Sequence, residues 1–213
     1  MTLDEVATAA LPQSLAVMGA FHTAAEDDPG DGTLILLGPR EPGFWPNFQA
    51  SPEARDGDRN PMDRWSYRVI THIADAIGGR AFFPFGTPHQ PFLRWALRSG
   101  RAWSSPVHLL VHDTAGLMVS YRGAILVPQR LELPPLSQSP CDTCEAKPCI
   151  QACPASALTP AAYDLAACHA WLDSTEGQSC LEQGCAVRRS CPISATYGRM
   201  EAQSAFHMGY FHS

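Results

Sequence analysis

The chain has 213 residues, 45% hydrophobic and only 17% charged, with a mean hydropathy of −0.13, which excludes an extended disordered chain and leaves room for a buried core. The formal net charge is −6, and Lys147 is the one lysine among fifteen basic residues, so a basic surface that neutralises nucleic-acid phosphates is excluded. Asp4 and Glu5 stand where a secretory leader would be basic, and no apolar run reaches the length of a membrane span, so no membrane partner is expected and the cytoplasm is the expected location.

Residues 1–20 predict a short helix around Leu3, Val6 and Leu11, then an apolar stretch, Leu15 to Met18, as an entry element packed on a sheet. Thr33 to Leu37 is an apolar run stopped by Gly38 and Pro39; it is too short for a helix and reads as a central buried strand. Five prolines and three glycines between Gly38 and Pro61 predict a long irregular loop. Its aromatics, Phe44, Trp45 and Phe48, either cover a planar cofactor or pin the loop to the core.

Asn60-Pro61-Met62-Asp63 offers a cap, a first-position proline and a first-turn acid. Val69, Ile70, Ile73, Ala74 and Ile77 then give one apolar helix face, stopped by Gly78-Gly79. Ala81 to Phe83 is a candidate strand, and Pro91 to Ser99 a second helix ended by Gly100. Arg94, Arg98 and Arg101 recur at helical spacing beside Trp95 and Trp103, as a solvated face or a contact for an anionic group. Val107 to Val111 is expected to pair with Leu117 to Val127 across a turn at Asp113 to Gly116. Leu131 to Pro140 reads as a stiff linker, and the tail, Tyr197 to Ser213, carries His207 and His212, expected at the surface. Two domains follow: residues 1–134, α+β, and residues 135–213, which carry the cysteines.

All eight cysteines lie between Cys141 and Cys191, in two blocks of four: Cys141, Cys144, Cys149, Cys153-Pro154, then Cys168, Cys180, Cys185, Cys191-Pro192. Disulfides suit a secreted chain under about 100 residues, and four-thiolate zinc sites usually come as two Cys-x-x-Cys knuckles, of which only Cys141 to Cys144 is one. Two blocks of four, each closing on Cys-Pro, resemble a bacterial two-cluster ferredoxin, where the cysteine before proline crosses to the other cluster. The fixed φ of proline forces the chain out of the loop there. Applied here, Cys141, Cys144, Cys149 and Cys191 would hold one 4Fe-4S cluster, and Cys153, Cys168, Cys180 and Cys185 a second.

The order of parts carries a wider resemblance. Arg98-Ser-Gly-Arg-Ala-Trp103, an apolar strand, Asp113-Thr-Ala-Gly116 with the apolar run to Val127, and a proline-rich linker into two cysteine blocks resemble the cobalamin-dependent iron-sulfur reductases. Epoxyqueuosine reductase and the reductive dehalogenases belong to these, and Gly116 to Pro128 is similar to the cobalamin-processing protein CblC. The resemblance implies an α+β, nitroreductase-like (CblC-like) N-terminal domain, a small bacterial-type dicluster ferredoxin domain, and cobalamin as a further cofactor. On the family's pattern Cys168, Cys185 and Cys191 take ligand places. Arg188 stands where a further thiol is expected, with Cys180 as the substitute, and Ser105-Pro106 replaces a Gly-Lys pair. The family's catalytic acid has no assigned counterpart.

The expected function is iron-sulfur electron transfer: a reductase feeding a corrinoid or other cofactor in residues 1–134, or a non-catalytic carrier docking a redox partner protein. A zinc-stabilised structural protein is the remaining alternative.

Overall fold

A computed structural model describes residues 1–25 and 29–212; Ser213, the end of the expected tail, lies outside the described residues. The fold is α+β with small antiparallel sheets. It divides into two compact units, Met1–Arg101 with Ser120–Ser137, and Ala102–Val119 with Gln138–Ser213.

The first unit is built on a four-stranded antiparallel sheet of β1 (Leu15–Thr23), β2 (Gly32–Pro39), β6 (Gly123–Val127) and β3 (Arg80–Phe82), in the order β1-β2-β6-β3. Every residue of β2 and β6 is buried, which is why both read as continuous apolar runs instead of alternating ones. The stretch expected as an entry element is itself a strand: after α1 (Leu3–Ala10), capped by Thr2, residues Leu15–Thr23 pair along β2.

Helix α3 (Pro61–Ala76) buries Trp65, Val69, Ile70 and Ile73 on the expected face. A Cβ on Gly123 of β6 would lie 2.8 Å from Ile70 Cδ1, so the helix packs directly on the strand. Asn60 precedes it in the left-handed region, φ 53°, and makes no side-chain cap bond.

The expected loop of residues 38–61 contains a helix instead, α2 (Phe44–Ala50). Pro46 stands in its first turn, where no intrahelical N–H bond is lost. Phe44 and Phe48, one turn apart, meet Trp65 edge-on with centroids 5.3 and 6.2 Å away, and Trp45 is also buried. The aromatic trio therefore packs into the core.

Helix α4 (Phe92–Arg98) ends before Gly100, φ 67°. Arg98 lies 4.5 Å over the Phe21 ring and donates to His22 O, and Arg101 Nη1 donates to Val17 O at 3.0 Å. Two of the three stripe arginines thus fasten α4 and its exit to β1. The proline-rich segment starts pinned too, because Leu131 is buried and its N–H donates to Thr33 Oγ1 at 3.0 Å.

The second unit opens with a hairpin of β4 (Ala102–Ser104) and β5 (Leu110–His112). This corrects the expected pairing of residues 107–111 with 117–127. The turn closes locally through Ser105 N–H to Leu109 O, 2.9 Å, while the wholly apolar β6 lies between β2 and β3 of the first unit's sheet. Val107, Val111 and Leu117 form a core with Leu158, Val187, Cys149 and Cys191. For that reason residues 102–119 belong with the cysteines, and a single boundary at 134/135 does not describe the division. Among the described residues, five α-helices complete the unit: α5 (Leu165–Leu172), α6 (Gln178–Gln183), α7 (Ala186–Ser190), α8 (Pro192–Thr196) and α9 (Glu201–His212). No helix among the described residues is long and apolar enough to cross a membrane.

In the first unit, buried Glu53 accepts from Arg68 Nε and Nη2, the latter at 2.9 Å. This bond holds its carboxyl below the usual value of 4.5 against the opposing effect of burial. A depressed carboxyl contributes stability above its unfolded pKa and loses it as pH falls through the folded value. Because Arg68 is half exposed, Glu53→Gln is expected to cost about 1 kcal/mol at pH 7. In urea denaturation the difference from wild type should shrink as pH falls below 4.5 and vanish only below the depressed folded value.

Candidate metal centre

The first group of thiols comes from one loop and one helix junction. Cys149 sits in a single 3-10 turn, Pro148–Ile150, that Lys147 enters with a left-handed φ of 38°. Cys191 lies between α7 and α8 with φ −66° and ψ 125°, the extended geometry that a following proline imposes, and Pro192 opens α8. Together with Cys141 and Cys144 these thiols line one cavity of about 300 Å³. Burial pushes the Cys141 and Cys149 thiols up, and the neighbouring cysteines of the same group push both further. A hydrogen bond with Ser139 opposes the shift at Cys141.

The second group surrounds Cys168. Asp164 caps α5 by accepting from Ala167 N–H at 2.9 Å, which starts the helix so that Cys168 falls in its first turn. Cys180 is buried on α6, and Gly184, φ 90°, turns the chain so that Cys185 opens α7. Burial raises the Cys168 thiol, Tyr163 lowers it by a hydrogen bond, and Cys185, Cys153 and Cys180 raise it further. Cys153 accepts from Ala157 N–H at 3.3 Å. The structure therefore brings Cys153, Cys168, Cys180 and Cys185 within electrostatic reach, Cys180 among them.

None of the eight cysteines is in a disulfide. Among the described residues no group of three or more His, Cys, Asp or Glu side chains is placed to hold a metal ion. A tetrahedral zinc site, with Zn–S bonds of about 2.3 Å, would hold its sulfurs within about 4 Å of one another. The first cavity's donors are soft thiolates. Such donors suit iron-sulfur groups and zinc alike.

Several residues around the thiols are not legible as site residues from spacing. Partly buried Arg188 donates from Nη1 to Leu117 O; burial pushes its guanidinium down, opposed by Cys185 and Tyr163. Tyr163 is antiparallel-bridged to Leu158, and its hydroxyl is pushed up by burial first and then by Cys168. Half-buried His212, expected at the surface, has Nδ1 at 2.9 Å from His169 Nδ1 and Nε2 at 3.0 Å from Asp173.

No family model, curated protein or solved structure matches the chain.

Gly116 shows how tightly the hairpin approaches the first group. Its φ is 57°, and an added Cβ would lie 2.5 Å from Ser194 N and 3.0 Å from Cys191 Sγ. Gly116→Ala is expected to cost about 1–3 kcal/mol for the left-handed backbone alone, and more for displacing the Cys191 segment. Gly57→Ala, also at positive φ but with nothing within 4 Å, supplies the control. Urea denaturation of both variants should show the larger loss at Gly116.

Proposed function

We propose that this chain is an iron-sulfur electron-transfer protein with two 4Fe-4S clusters, one on Cys141, Cys144, Cys149 and Cys191, the other on Cys153, Cys168, Cys180 and Cys185. The observation that carries this reading is the convergence of Cys141, Cys144, Cys149 and the distant Cys191 on a single cavity, with the other four thiols grouped around Cys168. Each group takes three thiols from one block and the Cys-Pro thiol from the other, which is the crossing that a two-cluster ferredoxin uses.

Such a cluster supplies one-electron transfer when bound. The chain's part is to supply the thiolates, fix their directions and limit water. Cys149, Cys180 and Cys191 are buried, and Val111 and Leu117 wall the first cavity. The raised thiols at Cys141, Cys149 and Cys168 must lose protons to ligate, so assembly releases protons and weakens as pH falls.

On this reading the second unit is a small bacterial-type dicluster ferredoxin module, and the first corresponds to the nitroreductase-like domain of the cobalamin-dependent reductases. A specific observation favours the carrier over the corrinoid reductase. Trp45 and Trp103 are the sequence features that suggest a cofactor pocket, yet Trp45 is buried beside Phe48 and Trp103 packs on the core of the second unit. The function supported best is a cytoplasmic electron carrier that docks a redox partner protein.

Purification without oxygen, an iron and acid-labile sulfide count, and a titration with cobalamin followed by visible spectroscopy test the reading. About eight irons per chain with no cobalamin response are expected. Eight irons with a cobalamin spectral change would restore the reductase, and zinc in place of iron would sink both.

A further inference from the structure

Helix α4 of the first unit carries apolar side chains on its outward face as well as its inward one. Phe92, Trp95 and Ala96 are buried, whereas Leu93 and Leu97 are 62% and 45% exposed. Single exposed leucines are ordinary on a protein surface, but these two stand one turn apart on the same side of the helix. A third joins them. Leu136 is 81% exposed and seated against Gly100, three residues past Leu97, where Ser137 Oγ donates to Gly100 O at 3.1 Å. The proline-rich segment thus sets a leucine at the C-terminal end of α4.

Arginines flank the leucines. Arg94 is exposed and makes no hydrogen bond or ion pair among the described residues. Arg98 is exposed too, and the Phe21 ring and His22 O hold it in place. A bond to a neutral carbonyl orders a guanidinium without cancelling its charge, so less freedom is lost when a partner arrives. The charge of the region is one-sided. Between Asp75 and Asp113 the sequence holds Arg80, Arg94, Arg98 and Arg101 and no acid, in a chain of net charge −6, and residues 133–140 hold no acid either.

An apolar centre beside cations is the anatomy of an interface, in which charge selects the partner by sign. Two occupants fit this face poorly. A second copy would meet it through the same patch, because a two-fold interface repeats itself, and would set arginines against arginines. An anionic lipid surface reaches past the patch and would also meet the rest of an acidic chain. An acidic helix matches the face in both extent and sign: its leucines pack along the i, i+4 row of α4, and its glutamates meet Arg94 and Arg98.

We propose that the outward face of α4, Leu93, Arg94, Leu97 and Arg98 with Leu136, docks an acidic amphipathic helix of a partner protein. Taking that protein for the redox partner rests on the carrier reading; the face itself draws on no cysteine.

The test is a titration of the anaerobically purified full chain, its iron counted, against a fluorescent synthetic helix with leucines along one side and glutamates beside them, read by anisotropy. Wild type should bind this peptide, bind it more weakly as salt rises, and ignore the same peptide with lysine in place of glutamate. Arg94→Glu should weaken binding about tenfold, and Leu93→Ser combined with Leu97→Ser should abolish it. Leu136→Ser, at the most exposed of the three leucines, should weaken it as well. The substituted side chains are exposed, so far-ultraviolet circular dichroism of each variant should match wild type.

A wild-type chain that binds both peptides alike, or neither, overturns the proposal, as does unchanged affinity in folded Arg94→Glu and Leu136→Ser. Sedimentation with phosphatidylglycerol vesicles that Arg94→Glu abolishes would overturn it in favour of lipid. A dimer in analytical ultracentrifugation that the double leucine variant disperses would overturn it in favour of a second copy. An iron-free chain that binds the acidic peptide keeps the docking face and removes the carrier reading; an iron-replete chain that does not bind removes the face and leaves the carrier reading.

Discussion

The constraint on which the second unit depends is the gathering of its cysteines, four of them around one cavity, at the edge of its apolar core. Burial, and then the neighbouring cysteines, push the Cys141, Cys149 and Cys168 thiols up. Any metal they bind as thiolates would have to displace their protons. Cys149 and Cys191 are also members of the apolar core with Val107, Val111, Leu117, Leu158 and Val187. The place of Cys191 and the integrity of the core are therefore one problem in this unit: what displaces Cys191 disturbs the core, and what opens the core releases Cys191.

The hairpin of residues 102–119 shows how the sequence solves it. A cysteine-rich segment of short helices has few large apolar side chains, so a compact core must be completed from elsewhere in the chain. Val107, Val111 and Leu117 complete it, and Gly116 permits the close approach because it has no side chain to meet Ser194. The first unit keeps its own core, in which β2 and β6 are covered on both faces and Trp65 receives Phe44 and Phe48.

Much of the first unit was legible in the sequence. The apolar run at Thr33 to Leu37 and the helical period from Val69 to Ile73 each admit one reading, because burial of those residues dictates their spacing. Helix α2 was not legible, since prolines around Phe44 signal a loop unless one sees that Pro46 falls in a first turn. The pairing of residues 107–111 was not legible either: local alternation cannot tell a neighbour in sequence from β4, and a contiguous reading cannot see that residues 102–119 join the later core. The expected cysteine grouping rests on the two Cys-Pro steps, because proline controls the direction of exit. Tyr163 and Ser139 carry no such signal, being single polar residues with no spacing, and Arg188 stood out only as a departure from a thiol position.

The sorting of the eight thiols into two foursomes can be tested directly. A crystal structure of the anaerobically prepared protein, with anomalous scattering recorded at the iron edge, would locate the metal without reference to activity or potential. Two compact four-iron peaks are expected, one ringed by Cys141, Cys144, Cys149 and Cys191, the other by Cys153, Cys168, Cys180 and Cys185. A single ion in either place, or a cluster held by Cys153 in place of Cys191, would contradict the assignment.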